Sequence, residues 1–142
     1  MRYPAIVVRE GSVWLIEFPD CPGCQTFARA AAEIEPRATE ALEAWLETVL
    51  EGGQVPPPPR RRHAPKGGEL RQVTVPAGLS AAITIRRARA EAKLSQAALG
   101  QRIGVSQQAI AKLERSGGNV SIETLEKVAR GLGRSVEIEL VS

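Results

Sequence analysis

The chain of 142 residues has 43% hydrophobic and 25% charged side chains and a net charge of +3, ordinary values for one globular domain or two small ones. Its apolar runs are shorter than the roughly 18 residues that span a bilayer, and its first residues lack the apolar stretch of a secretory signal. These features exclude a membrane partner and predict a cytoplasmic protein, in which two cysteines remain free thiols.

The charge is distributed unevenly along the chain. Residues 1–55 carry nine acidic side chains against four arginines, a net charge of −5, and residues 56–142 carry fifteen lysines and arginines against seven glutamates, a net charge of +8. A basic half attracts phosphate backbones and an acidic half repels them. The asymmetry predicts two surfaces with two different partners.

The first elements predicted are three strands. "AIVVR" and "VWLIEF" are β-branched and aromatic runs separated by Glu10-Gly11-Ser12, which is typical of a hairpin. "QTFA" predicts a third strand. Alternation places Trp14, Ile16 and Phe18 on one buried face of the second strand.

A helix is predicted from about Arg37 to the Gly52-Gly53 pair, which is a typical C-terminal stop. Pro36 fits only the first turn of such a helix. The strands and the helix together predict an α+β unit with a small antiparallel sheet. The apolar stripe predicted to pack on the sheet comprises Ala38, Leu42, Trp45 and Val49.

The segment "GGQVPPPPRRRHAPKGGEL" contains four consecutive prolines and two Gly-Gly pairs, a composition that cannot build a core. We therefore predict a first domain over residues 1–53, a linker over residues 54–72 and a second domain over residues 73–142. The sequence leaves three roles open for Arg60–Arg62: a solvated tether, a contact with nucleic acid, or a contact with the acidic half.

The second domain is predicted to be mainly α-helical. "QVTVP" predicts a short strand and "SAAITIRRARAEA" a helix, and Ser95, Ser106 and Ser121 are typical N-caps of three further helices. The alternation in "SVEIELV" predicts a terminal strand that pairs either with Val73–Val75 or with the same strand of a second subunit.

The most informative segment runs from Ser95 to Arg115. Two helices, Gln96–Ile103 and Gln107–Arg115, flank a tight turn at Gly104-Val105, which is the arrangement of a DNA-binding helix-turn-helix. We expect Gly104 to adopt a positive φ and Gly100 to allow close approach of the helices. A ribbon-helix-helix interpretation of residues 72–93 is an alternative, but it leaves this pattern unexplained. The predicted core residues are Leu99, Ile103, Val105, Ile110 and Leu113.

Over residues 83–133 this pattern resembles the helix-turn-helix of the phage repressor and Cro family. The resemblance implies that Gln107–Arg115 is the recognition helix, whose glutamine amides face base edges and can pair with adenine. It also implies an internal ion pair between Arg89 and Glu114, and loop 115–119 is expected to bind DNA without sequence preference. The predicted DNA-binding residues are two phosphate contacts, Gln96 and Ser106, and the recognition-helix residues Gln107, Gln108, Ala111, Lys112 and Arg115.

The cysteines form the motif Cys21-Pro22-Gly23-Cys24. A zinc site needs three or four protein ligands, and besides its cysteines and glutamates the chain has one histidine and one aspartate, so we predict no metal and no cofactor. A redox role requires the pair at a helix N-terminus after a buried strand, which the sequence does not indicate. We therefore favour small apolar residues in a tight loop and keep a thiol oxidoreductase as an alternative.

The hairpin ending in "FPDCPGC", the short strand and the helix "EALEAWLE" resemble the HicB antitoxin family over residues 3–51. The resemblance implies a reduced RNase H-like fold, a partner that is a small basic mRNA-cleaving toxin of the HicA type, and repression of the chain's own operon. The DNA partner would be double-stranded operator DNA, bound by a homodimer or higher oligomer. The candidate toxin-binding loop comprises Phe18, Pro19, Asp20, Pro22 and Gly23.

Because RNase H chemistry needs several carboxylates around metal ions and Asp20 is the only aspartate, we predict no catalytic residue and no enzyme. The leading interpretation is an antitoxin that is also an autorepressor. The alternative is a stand-alone transcriptional regulator whose N-terminal domain senses a ligand.

Overall fold

The computed structural model of the chain describes residues 1–116 and 120–142, without the side chain of Ser116. These residues form two compact units, Met1–Pro76 and Ala77–Ser142. The predicted basic loop over residues 115–119 lies largely outside the described residues. Each described helix is either too short or too polar to span a lipid bilayer.

The N-terminal unit is built on a four-stranded antiparallel sheet with the order β3-β2-β1-β4. The predicted hairpin and third strand are confirmed, and Gly11, at the turn between the first two strands, has a φ of 63°, which glycine adopts without strain. The strands are β1 (Arg2–Glu10), β2 (Val13–Glu17), β3 (Gln25–Ala28) and β4 (Glu69–Thr74).

After a short 3₁₀ turn at Ala31–Glu33, helix α1 (Ile34–Glu51) packs on one face of this sheet. It begins three residues before the predicted start, because Pro36 occupies its third position, where the backbone N–H of any residue would lack a partner within the helix. Gly52 is the C-cap and Gly53 has a φ of 78°, as predicted for the helix end.

The buried stripe of α1 differs in part from the predicted one. Its members recur at every fourth residue, so the stripe follows a single i, i+4 row, whereas the predicted Trp45 and Val49 are only half-buried at its margin. On β2 and just beyond it, Ile16 and Phe18 are buried as predicted, and Trp14 is half-buried beneath the guanidinium of Arg9, 4.6 Å from its ring centre. The buried residues of α1 are Ile34, Ala38, Leu42, Leu46 and Leu50.

The segment predicted as a linker over residues 54–72 is partly built into the N-terminal unit. Strand β4 pairs with β1 from Arg2↔Thr74 to Val7↔Glu69, and the hydroxyl of Tyr3 donates a hydrogen bond to the carbonyl of Pro57 (2.6 Å). The strand predicted around Val73–Val75 therefore completes the first unit rather than opening the second. It forms there because β1 would otherwise present an unpaired edge.

The C-terminal unit consists of α2 (Ala77–Glu91), α3 (Gln96–Ile103), α4 (Gln107–Ser116) and α5 (Ile122–Gly131). The three predicted caps are confirmed, since the hydroxyls of Ser95, Ser106 and Ser121 each accept a hydrogen bond from the backbone N–H three residues on. The core contains Ile85, Leu99, Ile103, Ile110 and Val128, with Val105, Leu113, Leu125 and Leu132 packed against it. Three of the five predicted core residues are therefore buried in it, and the other two, Val105 and Leu113, are partly buried against it.

Both glycines of the α3–α4 turn behave as predicted. Gly104 is left-handed, with a φ of 75°. A Cβ on Gly100 would lie 2.6 Å from the carbonyl oxygen of Val105, a separation that side chains do not tolerate against backbone. Glycine at both positions is therefore required by the helix-turn-helix geometry.

The predicted terminal strand does not form in the described chain. Residues 134–142, all of which are described, have no regular secondary structure, and Ile138, Leu140 and Val141 are exposed. The unit to which they belong is helical in its described part, so it offers no strand with which their backbone could pair, and a lone strand is not stable in water.

Candidate functional site

Helix α4 carries one exposed face and one buried face. Its buried face contributes Ile110 and Glu114 to the interior of the unit. The five recognition-helix residues predicted from the sequence lie along the other face, and all are exposed except Ala111, which is half-buried. The structure therefore brings together Gln107, Gln108, Ala111, Lys112 and Arg115 on a single surface.

The two predicted phosphate contacts have internal partners as well. The hydroxyl oxygen of Ser106 accepts from the N–H of Ala109 (3.1 Å), which leaves the hydroxyl proton available to a phosphate. The half-buried Gln96 donates from Nε2 to Oε1 of Glu114 (3.3 Å). The Gln96 amide is thus held in place by a contact that the sequence did not predict.

A buried carboxylate connects three helices of the C-terminal unit. Glu114 is fully buried, and its Oε2 accepts from Nε of Arg89 (2.6 Å) while Oε1 accepts from Nη2 of the same guanidinium (2.7 Å). Nε of Arg86 donates to Oε1 at 3.3 Å. The predicted Arg89–Glu114 ion pair is confirmed. Arg86 is an additional partner of Glu114 that the sequence analysis missed. Because Arg86 lies one helical turn before Arg89 on the same face of α2, helical spacing could have identified it.

This network favours the charged form of Arg89. The bidentate hydrogen bond to Glu114 raises the pKa of Arg89 above its ordinary value against the opposing effect of burial. Nη1 of Arg89 also donates to the carbonyl of Leu94 (2.7 Å), just beyond the end of α2. Planar guanidinium–carboxylate pairing of this kind has strict geometry, so it sets the position of α4 relative to α2 and α3.

The loop between β2 and β3 is folded back on itself and anchored to α1. The N–H of Phe18 donates to the carbonyl of Cys24 (3.1 Å), and the N–H of Cys21 donates to the carbonyl of Phe18 (3.0 Å). The indole N–H of Trp45 donates to the carbonyl of Pro22 (3.1 Å). Of the predicted toxin-binding loop, Phe18 and Asp20 are buried, Pro19 is half-buried, and Pro22 and Gly23 are exposed.

Asp20 binds the proline- and arginine-rich segment that follows α1. Its side chain is 2% exposed; Oδ2 accepts from the backbone N–H of Arg60 (2.9 Å) and Oδ1 accepts from Nη2 (2.6 Å) and Nε (3.1 Å) of Arg62. Of the three roles left open for Arg60–Arg62, Arg62 therefore contacts the acidic half, whereas the side chains of Arg60 and Arg61 are exposed.

The Asp20 carboxylate is kept ionised by these contacts. Burial acts to raise its pKa, but the Arg60 N–H, the Arg62 hydrogen bonds and the two positive charges together lower that pKa below its ordinary value. Sequence reasoning missed the contact because its partners are separated by about forty residues.

The two cysteines are buried free thiols. Burial, followed by the effects of Cys24 and Asp20, raises the pKa of Cys21 to about 12, and burial raises the pKa of Cys24 to about 11. Because the thiolate is the reactive form, this environment disfavours thiol chemistry. Across residues 1–116 and 120–142, His, Cys, Asp and Glu side chains form no group of three or more that could hold a metal ion.

Replacing Glu114 with glutamine should destabilise the C-terminal unit by about 3–5 kcal/mol, because Arg86 and Arg89 would lose the charge that compensates their burial. Urea denaturation followed by circular dichroism measures the loss. The matched control is Glu126→Gln on α5, which is exposed and should change the free energy of unfolding by less than about 0.5 kcal/mol. Equal, small effects of the two substitutions would contradict the structural role assigned to Glu114.

Replacing Asp20 with asparagine should cost about 1–3 kcal/mol at pH 7, since an amide replaces a buried, charge-assisted acceptor. The pKa of Asp20 is lowered on folding, so its contribution is present above its unfolded pKa and is lost as the pH falls through the folded pKa. The cost should therefore shrink in acid, as urea denaturation at pH 7 and pH 3 would show.

Trypsin should also cleave at Arg60–Arg62 faster in Asp20→Asn than in the exposed control Glu10→Gln, and equal cleavage rates would contradict the contact.

Two family models match this chain, one in its N-terminal half and one in its C-terminal half. A family model for the HicB-like antitoxin of bacterial toxin–antitoxin systems matches residues 3–66, and a helix-turn-helix model matches residues 85–138. Antitoxin HicB 1 of Photorhabdus laumondii subsp. laumondii is 28% identical over 142 residues, covering 99% of this chain and 87% of that protein. Antitoxin HicB 2 of the same organism is 25% identical over 138 residues, covering 97% of this chain and 95% of that protein.

Two solved structures are also similar. A chain of the HicA3 and HicB3 toxin–antitoxin complex is 28% identical, with a TM-score of 0.47, and the match covers 54% of this chain and 99% of that one. The crystal structure of antitoxin HicB3 gives 25% identity and a TM-score of 0.47, covering 54% of this chain and 62% of that one. Residues 3–66 of the chain are thus similar to the HicB-like antitoxins, and residues 85–138 are similar to helix-turn-helix domains.

Proposed function

We propose that the protein is a cytoplasmic antitoxin that neutralises a HicA-like, mRNA-cleaving toxin through its N-terminal unit and represses its own operon through its helix-turn-helix. The observation that carries the proposal is the presence, in one chain, of a HicB-like domain and a helix-turn-helix whose recognition face is exposed. Such a protein acts by binding and is not an enzyme.

The DNA-binding part of the proposal rests on the geometry of α4. The Glu114 network holds the helix from behind, and the exposed amides of Gln107 and Gln108 lie at its N-terminus, the end that contacts base edges in helix-turn-helix proteins. Glutamine pairs bidentately with adenine N6 and N7. Lys112 and Arg115 are exposed and add phosphate attraction that any sequence would share.

The toxin-binding part rests on charge. Glu40, Glu47 and Glu51 are exposed on α1, and the last turn of this fully described helix holds no basic residue, although cations would be favoured there by the helix dipole. The C-terminal end of α1 is therefore acidic although its helix dipole would favour positive side chains there. Such a surface suits a cationic partner, because complementary potentials speed the encounter of two proteins and set their relative orientation. The exposed Pro22 and Gly23 are the loop residues available to the same partner.

Replacing Gln107 with alanine should weaken specific operator binding by about 1–3 kcal/mol and relax the base preference at one position. Fluorescence anisotropy with DNA from the chain's own promoter measures the dissociation constant. Gln101→Ala, an exposed glutamine on α3, is the matched control and should bind like the parent. An unchanged dissociation constant for Gln107→Ala would contradict the assignment of α4 as the recognition helix.

The toxin partner should be encoded beside this chain as a small basic protein. Co-expression should restore growth that the toxin alone arrests, and the two proteins should co-purify. The double substitution Glu40→Lys/Glu47→Lys should weaken the complex, most strongly at low salt because exposed charges are screened at high salt; Glu123→Lys/Glu126→Lys on α5 is the control of equal charge change. Promoter binding without any toxin capture would instead indicate a stand-alone transcriptional regulator.

A further inference from the structure

The segment between α1 and β4 concentrates the positive charge of the N-terminal unit. The unit as a whole is nearly neutral, since it carries ten acidic and nine basic side chains with its histidine uncharged. Residues 52–68 hold four of the nine basic side chains and no acidic one, and we call residues 60–66 the basic segment. The four basic side chains are those of Arg60, Arg61, Arg62 and Lys66.

The basic segment is attached to the N-terminal unit on both sides of Arg61. Before it, the carbonyl of Pro57 accepts a hydrogen bond from the hydroxyl of Tyr3 (2.6 Å). Within it, Asp20 accepts from the backbone N–H of Arg60 (2.9 Å) and from the guanidinium of Arg62 (2.6 Å). The backbone around Arg61 is therefore held in place, so a partner that binds this segment has less conformational entropy to remove than it would on a free linker.

Asp20 has one negative charge and can neutralise one of the four cations. The guanidinium of Arg62 is engaged with it through both Nη2 and Nε. The side chains of Arg60 and Arg61 are exposed, and Lys66 is exposed as well. Among the described residues, no carboxylate forms an ion pair with the side chains of these three exposed residues. Their charges are thus directed to solvent or to a partner outside the unit.

The chemistry of these side chains favours a partner with repeated phosphate groups. The planar guanidinium presents a fork of donors that matches two phosphate oxygens, and adjacent arginines suit a chain of anions. The basic toxin proposed above would be repelled by the same charges. Duplex DNA is favoured over other polyanions because α4 of the same chain is proposed to hold it, which raises the local concentration of its phosphates around the rest of the chain.

We propose that Arg60 and Arg61 form a second DNA contact, outside the helix-turn-helix, which binds the phosphate backbone of the duplex without reading its sequence. Lys66 adds to the attraction. The proposal rests on the operator-binding function proposed above and extends it by assigning part of the affinity for DNA to the N-terminal unit. Contacts of this kind strengthen binding to every sequence alike, and the affinity that they supply falls as salt concentration rises.

The salt dependence of DNA binding by the full-length chain tests this contact. Removing two phosphate contacts should make the plot of log association constant against log salt concentration less steep by about 1.8, since each contact contributes about 0.9. Arg60→Gln/Arg61→Gln is the test variant, and it retains the Arg60 N–H and Arg62, which hold the segment on Asp20. The control Arg2→Gln/Arg37→Gln removes the same charge from exposed positions of the same unit and should keep the slope of the parent.

Comparing the promoter duplex with a scrambled duplex separates this contact from the recognition helix. Arg60→Gln/Arg61→Gln should weaken binding to both duplexes by the same factor, about tenfold or more at low salt. Gln107→Ala should instead reduce the preference for the promoter and keep the salt slope. A parent protein that binds the two duplexes equally would contradict the proposed operator binding, yet the slope on either duplex would still test the basic segment.

Three results would overturn the proposal. A slope for Arg60→Gln/Arg61→Gln equal to that of the parent would show that the basic segment is only a solvated tether. A loss of affinity confined to the promoter duplex would show that these arginines read bases instead of phosphates. The same titration with a single-stranded RNA of equal length gives the third, since a change of slope on the RNA but not on the duplex would identify RNA as the partner.

Discussion

The helix-turn-helix depends on one buried carboxylate. Glu114 is fully buried and would be costly there without compensation, yet it receives hydrogen bonds from two arginines of α2 and from Gln96 of α3. The strict geometry of these contacts means that α4 cannot rotate or slide without losing them. The internal face of α4 therefore determines the direction in which its exposed glutamines point.

The N-terminal unit also contains a buried carboxylate, that of Asp20, whose charge is compensated by hydrogen bonds. A proline-rich segment has few backbone donors of its own and cannot fold by itself. Here Arg60 and Arg62 bind the buried carboxylate, Tyr3 binds the carbonyl of Pro57, and the chain then returns as β4 beside β1. The buried residues of the loop around Asp20 therefore have a structural role. The surface that this unit offers to a partner consists of its exposed residues, which include the glutamates of α1 and, in the loop, Pro22 and Gly23.

Local patterns were sufficient to predict the hairpin, the serine caps, the helix-turn-helix core and both glycines of its turn, because each depends on neighbours within a few residues. The Arg89–Glu114 pair followed from the family resemblance. The pairing of residues 69–74 with β1 and the Asp20 contacts join residues far apart in sequence, and nothing in the local composition distinguishes a segment bound to the domain from a free linker. On α1, Trp45 and Leu46 are both apolar, so periodicity alone did not decide which of them faces the sheet.

The central claim is that a HicB-like unit and a sequence-specific DNA-binding unit act within one chain. The most direct measurement is the affinity of the purified full-length protein for a duplex carrying its own promoter, compared with a scrambled duplex of the same length and composition at the same salt concentration. The account predicts binding to the promoter at least about 10³-fold tighter than to the scrambled duplex. Equal affinity for the two duplexes would contradict it.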